Sequence, residues 1–341
     1  MAAMTRGFLS DNASGIHPRA LAALAEANEG HAPSYGTDRW TAALQELVRD
    51  IFGPDAGIFP VFNGTGGNVI SVQALLQRWD AVVATTESHM VNDESTAPQL
   101  VGGTRIVTVG HTDGKATPES LAPAFDAYDG TVRHARPAAV TIAQATELGT
   151  TYTLTELTEL TAYARHRDAR VHVDGARLAN AAVRLRTGLR EAVGDVHLLT
   201  FGGTKNGLLL GDAVVTLDPA LAEAVDRLRK ASTQLASKMR FVSAQLLALL
   251  SDGLWQDNAR RANAAADLLA DKLATLGLSP RYPVGANAVF IPVPAEALTH
   301  VLAEAPVLRW DATTVRAVAS YDTTEDDVDA LVATLARHLD C

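Results

Sequence analysis

Short runs of β-branched residues alternate with amphipathic helical stretches along most of this chain, and this alternation constrains the fold more than any other feature. The runs include AVVATT, RIVTVG, RVHVD and VHLLTF, and helical stretches such as TLTELTELTAYARHR lie between them. Strands that alternate with helices usually pair in parallel and are covered by helices on both faces. The sequence therefore predicts an α/β fold with a mostly parallel sheet, in which ligands bind beyond the carboxyl ends of the strands.

The pattern changes after about Leu250, where long helical stretches flank two short strands near NAVFIPV and TVRAVAS. We expect a large α/β domain with an N-terminal helical arm over residues 1–250 and a smaller α+β domain over residues 251–341. Two amphipathic helices are predicted near the N-terminus, over residues 18–28 and 37–52. With 341 residues, 47% of them hydrophobic, the chain can bury a sizeable core.

Charge and cysteine content narrow the class of protein. The net charge is −10 and the basic residues are scattered, so we expect no nucleic-acid or anionic-membrane partner. The single cysteine, Cys341, excludes a disulfide within the chain and suits a reducing cytoplasm. The first residues lack the apolar run of a signal peptide, and no apolar segment is long enough to span a bilayer. We expect a cytoplasmic protein, and since no zinc-binding pattern occurs, no metal site.

Two charged residues at predicted strand ends carry the strongest chemical signal. Asp174 ends VHVD, and Lys205 follows VHLLTF in FGGTKNG. A carboxylate can keep the ring nitrogen of pyridoxal phosphate (PLP) protonated, while a lysine amine can bond covalently to its aldehyde. The alternatives are a helix-capping aspartate and an exposed lysine in a turn. The joint arrangement favours a PLP enzyme.

A glycine-rich turn supplies a candidate phosphate site. Gly64, Thr65 and Gly66 lie between a predicted strand and a predicted helix. Backbone N–H groups and the helix dipole attract an anion at such a position. The pattern matches neither the mononucleotide P-loop nor the dinucleotide GxGxxG motif, and a plain strand–helix turn is the alternative. Thr204, beside the lysine, could add a hydroxyl donor.

Four further residues are candidates for contact with a substrate. His89 follows a strand and could stack on a cofactor ring and move a proton, and Glu147 could act as a carboxylate base. Ordinary loop and capping roles are their alternatives. Arg177 could bind a carboxylate or the phosphate of the cofactor. Arg316, on an apolar strand, could bind a carboxylate, and an internal salt bridge is its alternative.

Taken together, these motifs resemble the low-specificity L-threonine aldolases, which are PLP enzymes of the aspartate-aminotransferase fold (fold type I). The matching segments run nearly from end to end: FLSDNASGIHP, APSYG, FNGTGGN, ESH, QATELGT, HVDGAR, FGGTKNG, QLASKMRF and the strand that holds Arg316. The resemblance implies a seven-stranded, mostly parallel sheet. It also implies a homodimer or homotetramer whose active sites are shared between subunits.

The resemblance also implies a role for each candidate residue. The cofactor would be bound by Lys205, by Asp174 at the ring nitrogen, by His89 stacked on the ring, and by Gly64, Thr65, Gly66 and Thr204 at the phosphate. The substrate carboxylate would be bound by Ser10, Arg177 and Arg316. Tyr35 and the segment from Lys230 to Arg240 would reach the cofactor of a neighbouring subunit.

One departure from the family pattern concerns the general base. Many members have Thr-His-Asn where this chain has Thr146-Glu147-Leu148. The base therefore stays open between His89, Glu147 and a water molecule.

The implied reaction is that of an aldehyde-lyase acting on a small amino acid. It is the retro-aldol cleavage of L-threonine, L-allo-threonine or phenylserine to glycine and an aldehyde, together with the reverse condensation. Another PLP-dependent reaction, β-elimination or transamination, is the nearest alternative, because the same site would form the carbanion. A non-catalytic protein that binds PLP or an amino acid is the alternative from another class.

Overall fold

A computed structural model describes residues 6–339 of the chain, so Cys341 lies outside the described residues. The larger sheet contains seven strands in the order β1-β7-β6-β5-β4-β2-β3. Their bounds are β1 Gly57–Val61, β2 Asp80–Thr85, β3 Arg105–Val109, β4 Arg136–Ala143, β5 Arg170–Gly175, β6 Leu198–Gly202 and β7 Asp212–Thr216. Strands β2 to β6 pair in parallel, and β7 runs antiparallel to both β1 and β6. The predicted seven-stranded, mostly parallel sheet is confirmed.

Eleven helices accompany the larger sheet among the described residues. They are α1 Pro18–Ala27, α2 Arg39–Phe52, α3 Gly64–Leu75, α4 His89–Asn92, α5 Ala97–Leu100, α6 Pro118–Asp126, α7 Leu154–His166, α8 Leu178–Leu185, α9 Leu189–Val193, α10 Ala222–Ala231 and α11 Arg240–Leu250. The first two match the predicted helices with small shifts at their ends. The Asp38 side chain accepts the N–H of Thr41, so α2 begins at Arg39, after this cap.

Both faces of the larger sheet are buried, as its near-continuous apolar strands predict. Neighbouring residues of a strand point to opposite faces. Val82 and Leu198 accordingly pack in one apolar cluster with α3 and α10, whereas Val83 and Leu199 pack in a second with α2 and α7. The carboxyl ends of the parallel strands are left free to form a site at one edge.

A second sheet follows α12 Leu254–Thr275 and contains β8 Ala288–Pro292, β9 Leu308–Arg309 and β10 Thr314–Val318, all antiparallel. Helices α12, α13 Ala295–Glu304 and α14 Glu325–His338 cover it. The sequence predicted two of the three strands, because β9 is only two residues long. Phe8 packs in the core of this second sheet, and its N–H donates to the carbonyl of Pro306. The domain boundary at residues 250/251 stays a prediction.

Within residues 6–339, none of the helices combines the length and the apolar character that crossing a bilayer requires.

Candidate active site

A cavity of about 360 Å³ lies beyond the carboxyl ends of β4, β5 and β6. The sheet register brings its walls together, since Ala143 of β4 pairs with Asp174 of β5, and Asp174 pairs with Thr200 of β6. Eight of the predicted site residues line it: Gly64, Thr65, His89, Glu147, Asp174, Arg177, Thr204 and Lys205. The sequence interpretation did not single out four other lining residues, Asn12, Asn68, Thr200 and Asp212.

Asp174 is fixed by two hydrogen bonds at the end of β5. The Asn68 side-chain nitrogen donates to Asp174 Oδ2 at 2.8 Å, and the N–H of Ala176 donates to Oδ1 at 3.0 Å. Burial opposes ionisation of this carboxyl, but the charges of Lys205 and His89 and the two hydrogen bonds outweigh it and lower its pKa. Helix α8 begins only at Leu178, so Asp174 is not its cap. A buried, ionised carboxylate here suits a protonated pyridine nitrogen.

Lys205 lies in a short 3-10 turn, Thr204–Asn206, directly after β6. Asp212 holds this turn, because its Oδ1 accepts the N–H groups of Gly203 at 2.9 Å and Thr204 at 3.1 Å. Burial and the neighbouring Arg177 guanidinium lower the pKa of the Lys205 ammonium. A lowered pKa increases the neutral fraction of an amine and therefore its reactivity toward an aldehyde.

The glycine-rich turn forms the N-terminus of α3, as predicted. The Asn63 side chain caps the helix by accepting the N–H of Gly66 at 2.8 Å. Gly66 also faces Gln234, whose side chain would lie 2.4 Å from a Cβ atom at this position. The Gly66 N–H is therefore used by the cap, and close packing against Gln234 explains the glycine. Gly64 and Thr65 line the cavity from the first turn of the helix.

An unsatisfied hydroxyl marks the same end of the cavity. The Thr204 Oγ1 atom is buried and has no hydrogen-bond partner of good geometry among residues 6–339, although the Asp212 carboxyl lies beside it. Burial raises the pKa of Asp212. A buried donor that lacks an acceptor, beside the start of a helix, fits the phosphate of PLP. With Asp174 and Lys205 in the same cavity, the residues present fit the whole cofactor.

His89 and Glu147 lie side by side in the cavity wall. The backbone N–H of His89 donates to Glu147 Oε1 at 2.8 Å, and His89 Nδ1 lies 3.0 Å from Oε1 of the buried Glu94. The bond to Glu94 raises the pKa of His89, and burial raises the pKa of Glu147 to about 7. A carboxyl with a pKa near neutrality can exchange protons readily at physiological pH.

Three potential metal ligands also cluster here. One side-chain atom each of His89, Glu94 and Asp174 lies within 4.8 Å of the others. Asn68 donates to both carboxylates, at 2.7 Å and 2.8 Å, and His89 is bonded to Glu94. These hydrogen bonds account for the cluster without an ion.

Arg177 is held by an acid that the sequence interpretation did not weigh. Its Nε and Nη2 atoms donate to Asp11 at 2.7 Å and 2.9 Å, and Asp11 also accepts from Asn287 at 3.0 Å. The ion pair with Asp11 therefore uses two Arg177 N–H donors that the sequence interpretation expected to bind the substrate. Ser10 caps the 3-10 helix Asp11–Ala13 by accepting the N–H of Asn12 at 3.1 Å. Asn12, rather than Ser10, is found in the cavity wall.

Arg316 is half-buried on β10, close enough to Arg177 that this like charge, after burial itself, lowers its pKa. Its Nε atom is buried, and no hydrogen-bond acceptor for it is found in the described part of the chain. An unpaired buried guanidinium nitrogen is costly, and a bound anion would satisfy it.

Six predicted site residues are not among those that line the cavity: Ser10, Tyr35, Gly66, Lys230, Arg240 and Arg316. Three of them, Tyr35, Lys230 and Arg240, were expected to act in a neighbouring subunit. Tyr35 is 48% exposed, and Lys230 Nζ is 4.8 Å from the centre of its ring in a separate surface depression. The Nη2 atom of Arg240 donates a hydrogen bond to the carbonyl oxygen of Gly30 at 3.5 Å. Their predicted role required a neighbouring subunit, and within one chain they contribute nothing to the site.

Polar residues inside apolar stretches were the missed signal. Asn68 lies in GNVISVQALL, where a buried helix face demands a hydrogen-bond partner for an amide. Asp212 similarly precedes AVVTL, and Glu94 closes ESHMVNDE. All three are buried in the structure.

Comparison with known proteins agrees with this geometry. Residues 7–296 match the beta-eliminating lyase family. A low-specificity L-threonine aldolase of Pseudomonas aeruginosa is 40% identical over 292 residues, which cover 84% of each chain. The structure of threonine aldolase from Leishmania major matches with a TM-score of 0.91 and 26% identity, covering 98% of this chain and 99% of that one. Aspartate aminotransferase from Thermus thermophilus has a TM-score of 0.71 and 18% identity, covering 96% and 89% of the two chains.

The likeness to the aminotransferase concerns the fold alone, and together with the threonine aldolase structure it shows that the chain has the fold called fold type I. More specifically, the chain belongs to the beta-eliminating lyase family and is a threonine-aldolase-like lyase within it. The resemblance drawn from the sequence motifs is confirmed.

Proposed function

We propose that this chain is a PLP-dependent aldolase that cleaves L-β-hydroxy-α-amino acids such as L-threonine and L-allo-threonine to glycine and an aldehyde, and that catalyses the reverse condensation. The observation that carries this proposal is one cavity that holds both Asp174, kept ionised by its neighbours, and the buried amine of Lys205. When bound there, PLP supplies an electron sink for the carbanion that remains at Cα after the Cα–Cβ bond breaks.

The cofactor would be held at three points. Asp174 would bind the ring nitrogen, and Lys205 would provide the amine that bonds to the aldehyde, since both line the cavity. Gly64, Thr65 and the hydroxyl of Thr204, which has no well-aligned partner among residues 6–339, would bind the phosphate. The helix dipole of α3 adds a favourable field for the phosphate charge.

Two arginines would bind the α-carboxylate of the substrate. Asp11 fixes the Arg177 guanidinium in place by a two-point ion pair and leaves its remaining nitrogen free to donate. Arg316 offers the buried Nε atom that lacks an acceptor. A carboxylate between the two would relieve the repulsion that lowers the pKa of Arg316.

Glu147 is the proposed general base for the β-hydroxyl proton. Its pKa of about 7 leaves a large ionised fraction at neutral pH while keeping it basic enough to take a proton. His89, which donates its backbone N–H to Glu147, would stack on the cofactor ring and fix the position of the base.

The site would be completed by a second copy of the chain in a homodimer or homotetramer. The candidates are the exposed Tyr35 and Lys230 and the half-buried Arg240, because all three lie outside the cavity of their own chain. Sharing of sites between identical subunits is common in symmetric oligomers.

A substrate panel tests the proposed function. The holoenzyme is incubated with L- and D-threonine, L-allo-threonine and phenylserine, and glycine, aldehyde and keto acid are measured. We expect equal amounts of glycine and aldehyde from the L-isomers and no keto acid. Keto-acid formation would instead indicate elimination or transamination, and activity on D-isomers alone would contradict the L-specific proposal.

Lys205→Ala provides the second readout of the same test. The variant should lose the visible absorbance of the bound cofactor and more than about 10⁴-fold in turnover, since the covalent catalyst is removed. The control is Lys272→Ala on α12, whose ammonium pairs with Glu325 and lies outside the cavity. If Lys205→Ala kept the absorbance of the wild type, the assignment of the lysine would be wrong.

A further inference from the structure

We propose that Glu94 is a positioning residue for the reaction: it binds Nδ1 of His89 and leaves Nε2 as the only ring nitrogen free for a bound molecule. The inference rests on the proposed function, because it concerns the imidazole that would stack on the cofactor. Glu94 follows α4, the short helix that His89 begins.

The geometry around Glu94 is that of a fixed acceptor. Glu94 is 3% exposed, and its Oε1 atom lies 3.0 Å from His89 Nδ1. The same oxygen accepts a hydrogen from Asn68 Nδ2 at 2.7 Å. Both bonds end on Oε1, and Oε2 is buried without a hydrogen-bond partner among the described residues. Because a buried carboxylate is costly without donors, these two bonds set its position.

Asn68 joins Glu94 to the acid at the ring nitrogen. Its Nδ2 atom carries two hydrogens, and the second is donated to Asp174 Oδ2 at 2.8 Å. A rotated amide would place its oxygen against two carboxylates, so the hydrogen bonds determine its orientation. One chain of hydrogen bonds, His89–Glu94–Asn68–Asp174, therefore connects the residue that would stack on the cofactor ring with the residue that would bind its nitrogen.

The charges around His89 support the same assignment. The bond to Glu94 is the largest influence on its pKa and raises it, and the Asp174 charge acts in the same direction. Burial and the Lys205 charge lower it. Glu147, which binds the backbone N–H of His89, is the remaining acid at this position. The proton at Nδ1 is thus retained, which fixes the tautomer of the neutral ring.

Glu94→Gln is the central variant, because it keeps the size of the side chain and removes its charge. We expect the pKa of His89 to fall and kcat to fall roughly 10- to 100-fold, the usual effect of losing a hydrogen bond to a charged group, with a smaller change in KM. The His89 ring is followed by NMR in the ¹³C-histidine-labelled holoenzyme and assigned with His89→Asn.

Glu87→Gln is the matched control. Glu87 belongs to the same loop and also pairs with a histidine, His111, with 3.5 Å between Oε1 and Nε2. This variant should leave both the titration of His89 and kcat unchanged. Glu94→Asp keeps the carboxylate but shortens the side chain by one methylene, which moves the carboxylate away from His89. This variant should therefore lower kcat while shifting the pKa of His89 less than Glu94→Gln does.

An unchanged His89 titration in Glu94→Gln, or an unchanged kcat, would overturn the proposal. If Glu94→Gln does not fold, the Glu94→Asp variant provides the test. A kcat equal to that of the wild type and an unchanged pKa of His89 in Glu94→Asp would then overturn the proposal. The substrate panel tests the proposed function, whereas the NMR titration of His89 tests its interaction with Glu94 and requires no turnover. Failure of one can therefore be distinguished from failure of the other.

Discussion

The two ends of the cavity differ in how their side chains are connected. At the ring end, formed by Asp174, Asn68, Glu94 and His89, hydrogen bonds join all four residues, although Asn68 Oδ1 and Glu94 Oε2 are buried without a partner among residues 6–339. At the phosphate end, formed by Gly64, Thr65, Thr204 and Asp212, the Thr204 hydroxyl is buried without a well-aligned partner in that same range, and the buried acid Asp212 has a raised pKa.

This contrast suggests that the two ends of the cavity have different functions. The ring end is organised before any ligand binds, which is the condition for electrostatic stabilisation of a transition state. At the phosphate end the Thr204 hydroxyl lacks a well-aligned partner in the described part of the chain, so we expect its interactions to form on binding. We therefore expect changes around the ring end to affect turnover and changes around the phosphate end to affect cofactor affinity.

Among variants that keep Lys205, the largest effect is expected for Glu147→Gln, beside the ring end. Removing the general base should lower kcat/KM about 10²- to 10⁴-fold with little change in cofactor affinity. In the wild type kcat/KM should fall as the pH is lowered through about 7, because Glu147 is a base only when ionised and its pKa is about 7. In Glu147→Gln this pH dependence should disappear.

Measurement of kcat/KM from pH 5.5 to 9 checks both expectations, with Glu159→Gln on the exposed face of α7 as the control. Retention of the acidic limb near pH 7 in Glu147→Gln would assign the base to His89 or to a water molecule.

An intermediate effect is expected for Arg240→Ala, which tests whether a second copy completes the phosphate end. Loss of a charged donor to the phosphate should raise the Kd for PLP roughly 10- to 100-fold and leave kcat at saturating PLP nearly unchanged. The exposed Arg260 on α12 provides the control, Arg260→Ala.

Mixed oligomers sharpen this test. Lys205→Ala and Arg240→Ala subunits are combined, and activity is measured at limiting PLP. If Arg240 acts in a neighbour's cavity, mixed dimers contain one intact site, and about one quarter of all sites recover. If Arg240→Ala weakens PLP binding but no activity returns in the mixture, Arg240 acts within its own chain, and a second copy does not complete the phosphate end through this residue.

The ring end also shows what sequence can and cannot predict. The alternation of strands and helices predicts the parallel sheet, and Asp174 and Lys205 could be placed because each follows a recognisable strand. Their hydrogen-bond partners could not. Asn68 is 106 residues from Asp174 and 26 from Glu94, and only the packing of α3 against the sheet brings them together.

Arg177 illustrates the same limit. Its residue type and position predicted a carboxylate ligand, and the structure supplies one from within the chain, Asp11, 166 residues away. Pattern and spacing describe local structure well, but the choice between an internal and an external anion depends on tertiary contacts.

The smallest effect is expected for Thr204→Val at the phosphate end. The substitution keeps the shape of the side chain and removes one hydroxyl, so the Kd for PLP should rise up to about tenfold, the usual contribution of one neutral hydrogen bond, with kcat unchanged. Thr204→Ser keeps the hydroxyl and should bind PLP as the wild type does. If Thr204→Val binds PLP with wild-type affinity but has altered thermal stability, the Thr204 hydroxyl interacts with Asp212 instead of with the phosphate. The anion affinity of the phosphate end would then come from the N-terminus of α3 alone.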